Sequence, residues 1–252
     1  GLIDASRGRV ILAPNIPGFR NLDLTAPISE KLGIPAYIEN DASAAALGEV
    51  AAGAREEILI ESAYLVLDQQ SVDAMRALHA RGVRLRALTN SLASNDVTAN
   101  HGAYARRRDA ILASGVELHE MRPDAASCRD LVLNGSACGK EHVFGLHAKT
   151  FVFDRRTVYV GSLNLNLRSR FLNAESGLVI ESPELAAEIA ADIELNMAPA
   201  NSWRVVADPR GRAQWLEGEG SAAVTLNQEP KASWSRRTSA AMIAALPLEK
   251  YL

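Results

Sequence analysis

The sequence predicts an α/β protein, a mixed sheet flanked by helices with a short α/β appendage at its N-terminal end. Three observations carry that expectation. Glu57–Leu67 is strongly apolar, Val72, Met75 and Leu78 recur at helical spacing, and Val83–Asn90 alternates. Strand, helix and strand in such close succession form a parallel crossover unit. Phe151–Phe153 and Thr157–Val160 are β-branched and aromatic runs around the polar Asp154-Arg155-Arg156, which reads as an antiparallel hairpin. Ala174–Glu181 is a further strand, and Pro183 sits in the first turn of an amphipathic helix running to Asn196. At 252 residues, 48% hydrophobic and 23% charged, the chain can bury one large core or two small ones.

In chain order, Gly8–Leu12 reads as a short strand stopped by the Pro14–Gly18 turn region, and Ala26–Leu32 as a short helix closed by Gly33. Ile34–Glu39 is a second strand, and an alanine-rich helix follows, with Asn40 or Asp41 able to cap it. Ser71 is placed to cap the helix after Glu57–Leu67, and Gly82 closes it. His79 on that helix reads as a packed or half-exposed residue. Ser91–Thr98 is a polar loop past a strand end, where open α/β sheets carry ligands. Thr98–Ser114 is a helix bearing His101, Tyr104 and Arg106, and Val116–Met121 is a strand. Arg122–Gly145 is long, polar and glycine-bearing, which suits the rim of a site. Trp203–Ala207 and Ala213–Leu216 form a terminal hairpin around Asp208–Gly211, and Trp234–Leu246 is a last helix.

Chemistry concentrates in His147–Asn164. Residues i and i+2 of a strand share a face, so His147 and Lys149 are expected to project together. An imidazole beside an ammonium suits a phosphate, because one can attack or move a proton while the other meets the charge. Gly161-Ser162-Leu163-Asn164 adds a hydroxyl and an amide. The net charge of −3 argues against indiscriminate binding to nucleic acid. Local positive charge is present nonetheless, at Arg106, Arg107, Arg108, Lys140, Lys149, Arg155, Arg156, Arg168 and Arg170. Cys128 and Cys138 lack metal-like spacing, so free thiols in a reducing compartment are the simpler expectation, with a disulfide between them as the other reading. No metal or other cofactor is called for.

The pattern His147-x-Lys149, Asp154, Gly161-Ser162-x-Asn164 resembles the half-site motif of the phospholipase D superfamily. That resemblance implies a phosphodiesterase or phosphatidyltransferase working through a phosphohistidine. It makes His147, Lys149, Asp154 and Glu175 the catalytic set, with Glu175 orienting the histidine. Lys149, Ser162 and Asn164 would bind the substrate phosphate. Leu88–Val97 with His101, Tyr104 and Arg106 is similar to the cardiolipin-synthase-like branch, which makes His101 and Arg106 candidates for the site rim. A solvated helix position is the other reading of His101. The similarity spans residues 55 to 252.

The opening is similar to a different family. Gly8–Phe19 and Ile38–Glu49, with Asn40-Asp41, resemble the interior of a ROK-family sugar kinase or repressor, in which Asp41 would be the base and Asn15 would help bind sugar. The expected nucleotide-binding and zinc-binding segments are absent, so helix capping is the preferred reading of Asp41. The expected division is therefore a ROK-like fragment at 1–53 and a phospholipase-D-like domain at 54–252, joined as a fusion or chimera.

A phosphohistidine route needs a nucleophile and an acid on opposite sides of phosphorus. His79, His101, His119 and His142 lack the companion lysine and the Gly-Ser-x-Asn segment. A second half-site is then supplied by homodimerisation, as in a dimeric phosphodiesterase or nuclease, or the chain is an inactive phosphate-binding half. Phospholipid is the expected substrate and nucleic acid is not expected. Trp234, Met242, Ile243, Leu246 and Leu248, beside Arg236, Arg237 and Lys250, offer a peripheral contact with an anionic membrane, with packing on the core or on a partner subunit as the equal alternative. No apolar run is long enough for a spanning helix. The expected location is cytoplasmic, peripheral on the inner membrane.

Overall fold

A computed structural model describes residues 2–4, 9–12, 20–23, 25–32, 48, 50–131, 138, 143–171, 173, 175–218 and 220–246. The central sheet has nine strands in the order β12-β11-β10-β6-β5-β4-β7-β8-β9. They are β4 (Glu57–Ser62), β5 (Arg84–Asn90), β6 (Glu117–Met121), β7 (Lys149–Phe153), β8 (Thr157–Gly161), β9 (Gly177–Glu181), β10 (Ser202–Ala207), β11 (Ala213–Glu217) and β12 (Val224–Leu226). β4, β5 and β6 are parallel neighbours, and every other pairing in the sheet is antiparallel. The mixed sheet expected from the sequence is therefore present. Preceding it is a three-stranded antiparallel sheet of β1 (Leu2–Asp4), β2 (Arg9–Leu12) and β3 (Arg20–Asp23), followed by α1 (Thr25–Leu32). Asn15, the strand expected at 34–39, and Asn40 and Asp41 lie outside the described residues.

Alternation along the strands decides how the sheet is covered. Ile58, Ile60, Leu85, Ala87, Leu118, Phe151 and Phe153 share one core with residues of α2 (Gln69–Ala80) and α3 (Thr98–Ala113). Leu59, Leu88, Met121, Val152 and Val158 face the opposite way and pack on Ala186, Ala190, Ile193 and Met197 of α6 (Pro183–Met197). The remaining helices are α4 (Cys128–Leu131), α5 (Leu167–Phe171) and α7 (Trp234–Ala244). α7 lies on α3, where a Cβ at Gly102 would fall 2.7 Å from the Ala240 carbonyl oxygen. Only a residue without a side chain permits that approach.

Several local expectations are corrected. The strand from Glu57 stops at Ser62, and beyond it Val66 N–H donates to Leu165 O at 2.7 Å. The cap of α2 is Asp68, whose Oδ1 accepts from Ser71 N at 2.8 Å, so Ser71 stands inside the helix. Short helix α4 interrupts the 122–145 loop. Cys128 and Cys138 are joined in a disulfide instead of standing as free thiols. The expected 203–216 hairpin is present as β10 and β11, and β10 also pairs with β6 and extends the central sheet.

Candidate active site

The carboxyl ends of β4, β5 and β6 lie at one sheet edge, and β7 starts there with Lys149 opposite Ser62. That edge is where open α/β sheets place ligands. Asn90, at the end of β5 and 1% exposed, receives the chain that delivers His147. Its Nδ2 donates to Leu146 O at 2.8 Å and to Ala63 O at 3.2 Å, while its Oδ1 accepts from Leu146 N at 2.8 Å and from Ser94 Oγ at 3.1 Å. Ala63 N then donates to Ala148 O at 3.0 Å. His147 is thus pinned on both sides through backbone while its ring stays exposed. Nothing in the His-x-Lys spacing announces Asn90. The signal for it was its position at the end of an alternating strand before a polar loop.

Lys149 is buried, and its Nζ donates to His147 O at 2.8 Å. Burial holds its ammonium below the usual lysine range, opposed by the charges of Glu175 and Asp96. Ser162 and Glu175 converge from β8 and β9, where Gly161 pairs with Gly177. Tyr159 lies over both glycines, and a Cβ on either would come within 2.4 Å of its ring or hydroxyl. Ser162 Oγ donates to Glu175 Oε2 at 2.5 Å and accepts from Ser176 N at 2.9 Å. Asn173 Nδ2 donates to Glu175 Oε1 at 3.0 Å. Glu175 is therefore fixed by Ser162 and Asn173, and these, among the described residues, are its hydrogen-bond partners instead of the imidazole. Asn164 follows on the same loop with its Oδ1 buried and, among the described residues, without a hydrogen-bond partner.

Asp154 departs from the expected catalytic set. It sits at the far end of β7 from Lys149, about 17 Å along an extended strand, in a turn with φ +50°. Its carboxylate accepts from the N–H groups of Arg55 (3.0 Å), Glu56 (2.8 Å) and Glu57 (3.0 Å). Burial raises this carboxyl, but those donors outweigh it and leave the pKa below the ordinary value. Asp154 ties the hairpin turn to the start of β4. Arg155 beside it bonds Glu57 and Glu194, so that charge too is spent away from His147.

His101 is neither solvated nor at the rim. Fully buried, its Nε2 lies 3.1 Å from Glu229 Oε1 and 3.0 Å from Arg108 Nη2. Arg108 in turn pairs with Glu120 at 2.9 Å, and Glu120 accepts from Tyr104 and Trp215. This network fastens α3 to β6, β11 and the segment before α7. Arg106 is exposed on α3. What borders His147 is a cleft of about 640 Å³ lined by Ser94, Asn95, Asp96, Thr98, Gly145 and Arg236, among others. Neither His101 nor Arg106 lines it. Arg236 of α7 donates to Ala93 O at 3.5 Å and to Asn95 O, holding the loop that carries Asp96.

Residues 48–196 match the family described as cardiolipin synthase, PLD-like domain. The chain belongs to this family. It is 36% identical over 197 residues to cardiolipin synthase C of Escherichia coli (strain K12), a match covering 77% of this chain and 40% of that protein. The chain thus spans about two fifths of that curated relative. The crystal structure of a phospholipase D family member, Nuc from Salmonella typhimurium, aligns over 66% of this chain and 95% of that one at 19% identity and a TM-score of 0.47. Residues 1–62 match the ROK family, and 49 residues are 43% identical to the xylose repressor of Caldicellulosiruptor bescii, covering 12% of that protein. Segments similar to two families are therefore present in one chain. Among the described residues, no group of acidic, histidine and cysteine side chains is arranged to hold a metal, and no helix is long and apolar enough to cross a membrane.

Proposed function

We propose that residues from about 54 onward carry a phosphatidyltransferase or phosphodiesterase site, with His147 as the nucleophile that takes up the phosphoryl group. The observation that supports this reading is one sheet edge gathering an exposed imidazole, a buried ammonium bonded to the same residue's carbonyl, and a carboxylate locked by Ser162. His147 attacks phosphorus, the bond to the leaving oxygen breaks, and an incoming water or alcohol later displaces the imidazole. Lys149 meets the phosphoryl charge, and Asn164 offers its amide to the same group. Ser162, expected as a phosphate ligand, has its hydroxyl proton on Glu175 and acts by positioning that carboxylate, which keeps Lys149 charged.

Phospholipid is the proposed substrate and no cofactor is invoked. Exposed Trp234, Met242 and Leu246 on or just past α7 are the proposed contact with an anionic bilayer at the inner membrane. A homodimer bringing two His147 rings to one phosphate is a second route to a complete site, as in a dimeric phosphodiesterase. The ROK-like segment, read as the product of a fusion, takes no part in phosphodiester chemistry. Cardiolipin formation and phosphatidylglycerol hydrolysis should be measured for the full chain and its variants. His147→Ala is expected to abolish both, Lys149→Ala to slow them on the order of a hundredfold, and Asp41→Ala to leave them unchanged. Turnover that survives His147→Ala would refute the proposal.

A further inference from the structure

The phosphohistidine reading needs the His147 ring to face phosphorus in one orientation, and the resemblance assigns that task to Glu175. Glu175 is instead bonded to Ser162 and Asn173. Backbone bonds at Leu146 and Ala148 pin the main chain of His147, but the two torsions of its exposed side chain lie beyond their reach. Among the described residues, the ring has no hydrogen-bond partner, and the aromatic contact it makes is with Tyr64. The two rings meet edge-on, with centroids 6.3 Å apart and planes at 84°, an arrangement in which aromatic pairs attract. Tyr64 is itself fixed at both ends. On the main-chain side, Ser62 Oγ donates to Tyr64 O at 2.9 Å, and Ala63 N donates to Ala148 O at 3.0 Å. At the far end, the Tyr64 hydroxyl donates to Asp96 Oδ1 at 2.9 Å. The loop carrying Asp96 is held by Arg236 through Ala93 O and Asn95 O. Burial and the bond to Asp96 push the Tyr64 phenol up to about 12, so the donor keeps its proton at neutral pH.

We infer that Tyr64 is the positioning residue of His147: its ring sets the plane of the imidazole, and its hydroxyl, anchored on Asp96, sets the ring. The inference rests on the phosphohistidine reading above. It concerns one half-site and holds whichever group protonates the leaving oxygen. Leucine at this position would lose the ring contact, and phenylalanine would lose the anchor. An edge-on ring pair favours its geometry by roughly 2- to 10-fold in population, and a nucleophile displaced by about 1 Å loses about 10²-fold in rate.

The test uses the full chain with bis(p-nitrophenyl) phosphate, whose nitrophenolate leaves without help from an acid. As an imidazole nitrogen bonds to phosphorus, the P–O bond breaks and its electron pair departs with nitrophenolate, so the burst counts adducts on His147. The ring itself is followed by the carbon-bound proton resonances of the His147 imidazole, which a neighbouring aromatic ring displaces. Tyr64→Leu should return those resonances to the positions of an unstacked histidine and slow adduct formation by about 10- to 10²-fold. KM should change little, and amide exchange in β4 and β7 should match the unsubstituted chain. Tyr64→Phe keeps the ring, so it should preserve most of the resonance displacement and slow adduct formation by only about 2- to 10-fold. Adduct formation within twofold of the unsubstituted chain in Tyr64→Leu, with the His147 resonances unmoved, would overturn the inference while sparing the nucleophile. A slowed burst accompanied by faster exchange throughout β4 and β7, with the imidazole resonances unmoved, would make Tyr64 a merely structural residue and equally overturn it. If the unsubstituted chain forms no adduct on His147, the phosphohistidine reading falls and takes this inference with it.

Discussion

Asn90→Ala should damage both stability and catalysis, because this side chain holds Leu146, the residue that delivers His147. The substitution removes two bonds with Leu146, at 2.8 Å each, and those with Ala63 O and Ser94 Oγ. A net hydrogen bond contributes about 1 kcal/mol, and a buried partner left unpaired costs about 1–3 kcal/mol. Ser94 retains other partners in Ser91 and Met121 O, and Ala63 O retains the weak bond from Thr89. Leu146 N–H and C=O lose theirs outright. The expected loss is therefore about 2–4 kcal/mol. The check is urea denaturation followed by two probes, with the midpoint lowered and the slope unchanged. The freed Leu146 also releases His147, and a displacement of about 1 Å at a reacting atom is worth about 10²-fold in rate. Asn90→Asp keeps the acceptor and loses both donations, so it should fall between. Stability within 0.5 kcal/mol of the unsubstituted protein for Asn90→Ala, roughly the scatter of a neutral surface change, would refute the reasoning.

Three other predictions follow from the packing. Asp154→Ala strips the acceptor from three backbone N–H groups and should destabilise the fold by about 2–3 kcal/mol, while kcat of the remaining folded protein stays near normal; a selective loss of kcat would return Asp154 to the chemistry. Its depressed carboxyl pKa means this stabilisation is present above the ordinary carboxylate range and is lost as pH falls through the folded value. Glu61 has the opposite sign: burial raises its carboxyl from 4.5 to about 7, beside Asn196 and Asp192. The folded state then holds a proton that the unfolded state releases, so stability should decline between about pH 4.5 and 7 by about 3 kcal/mol from this group. Glu61→Gln should flatten that window in denaturation curves taken across pH, and an unchanged profile would count against the buried neutral acid. Gly102→Leu should separate α7 from α3 at the Ala240 contact and lower the melting temperature, with hydrogen exchange rising in α7 first; full protection of α7 in this variant would contradict the close approach.

Elements defined by local pattern were legible in the sequence. The crossover from β4 to β5, the β7–β8 hairpin and the Pro183 start of α6 rest on periodicity and turn chemistry, which act over a few residues. The pairing of β10 with β6 was not legible, since Trp203 and Glu120 meet across a separation that no periodicity encodes. The same limit applies to the site. His147 and Lys149 share a strand face by their spacing, Glu175 comes only from the family resemblance, and Lys149 feels the charge of Glu175. Asp154 carries the same spacing but folds back on Arg55–Glu57, because an αL turn aims its carboxylate at the backbone of β4. His101 looks like a helix-surface histidine in sequence, yet it is buried and its Nε2 meets Glu229, supplied by a segment 128 residues later. The Cys128–Cys138 bridge likewise depends on how the loop after β6 folds.

The central claim is that His147 becomes covalently bonded to phosphorus. The most direct measurement is to mix the full chain with bis(p-nitrophenyl) phosphate, quench in alkali where a phosphoramidate survives, and map the adduct by peptide mass and ³¹P resonance. One nitrophenyl phosphate per chain on the peptide containing His147, acid-labile and absent from His147→Ala, is the predicted result. Hydrolysis of the probe with no adduct on that peptide under conditions where breakdown is rate-limiting would contradict the account.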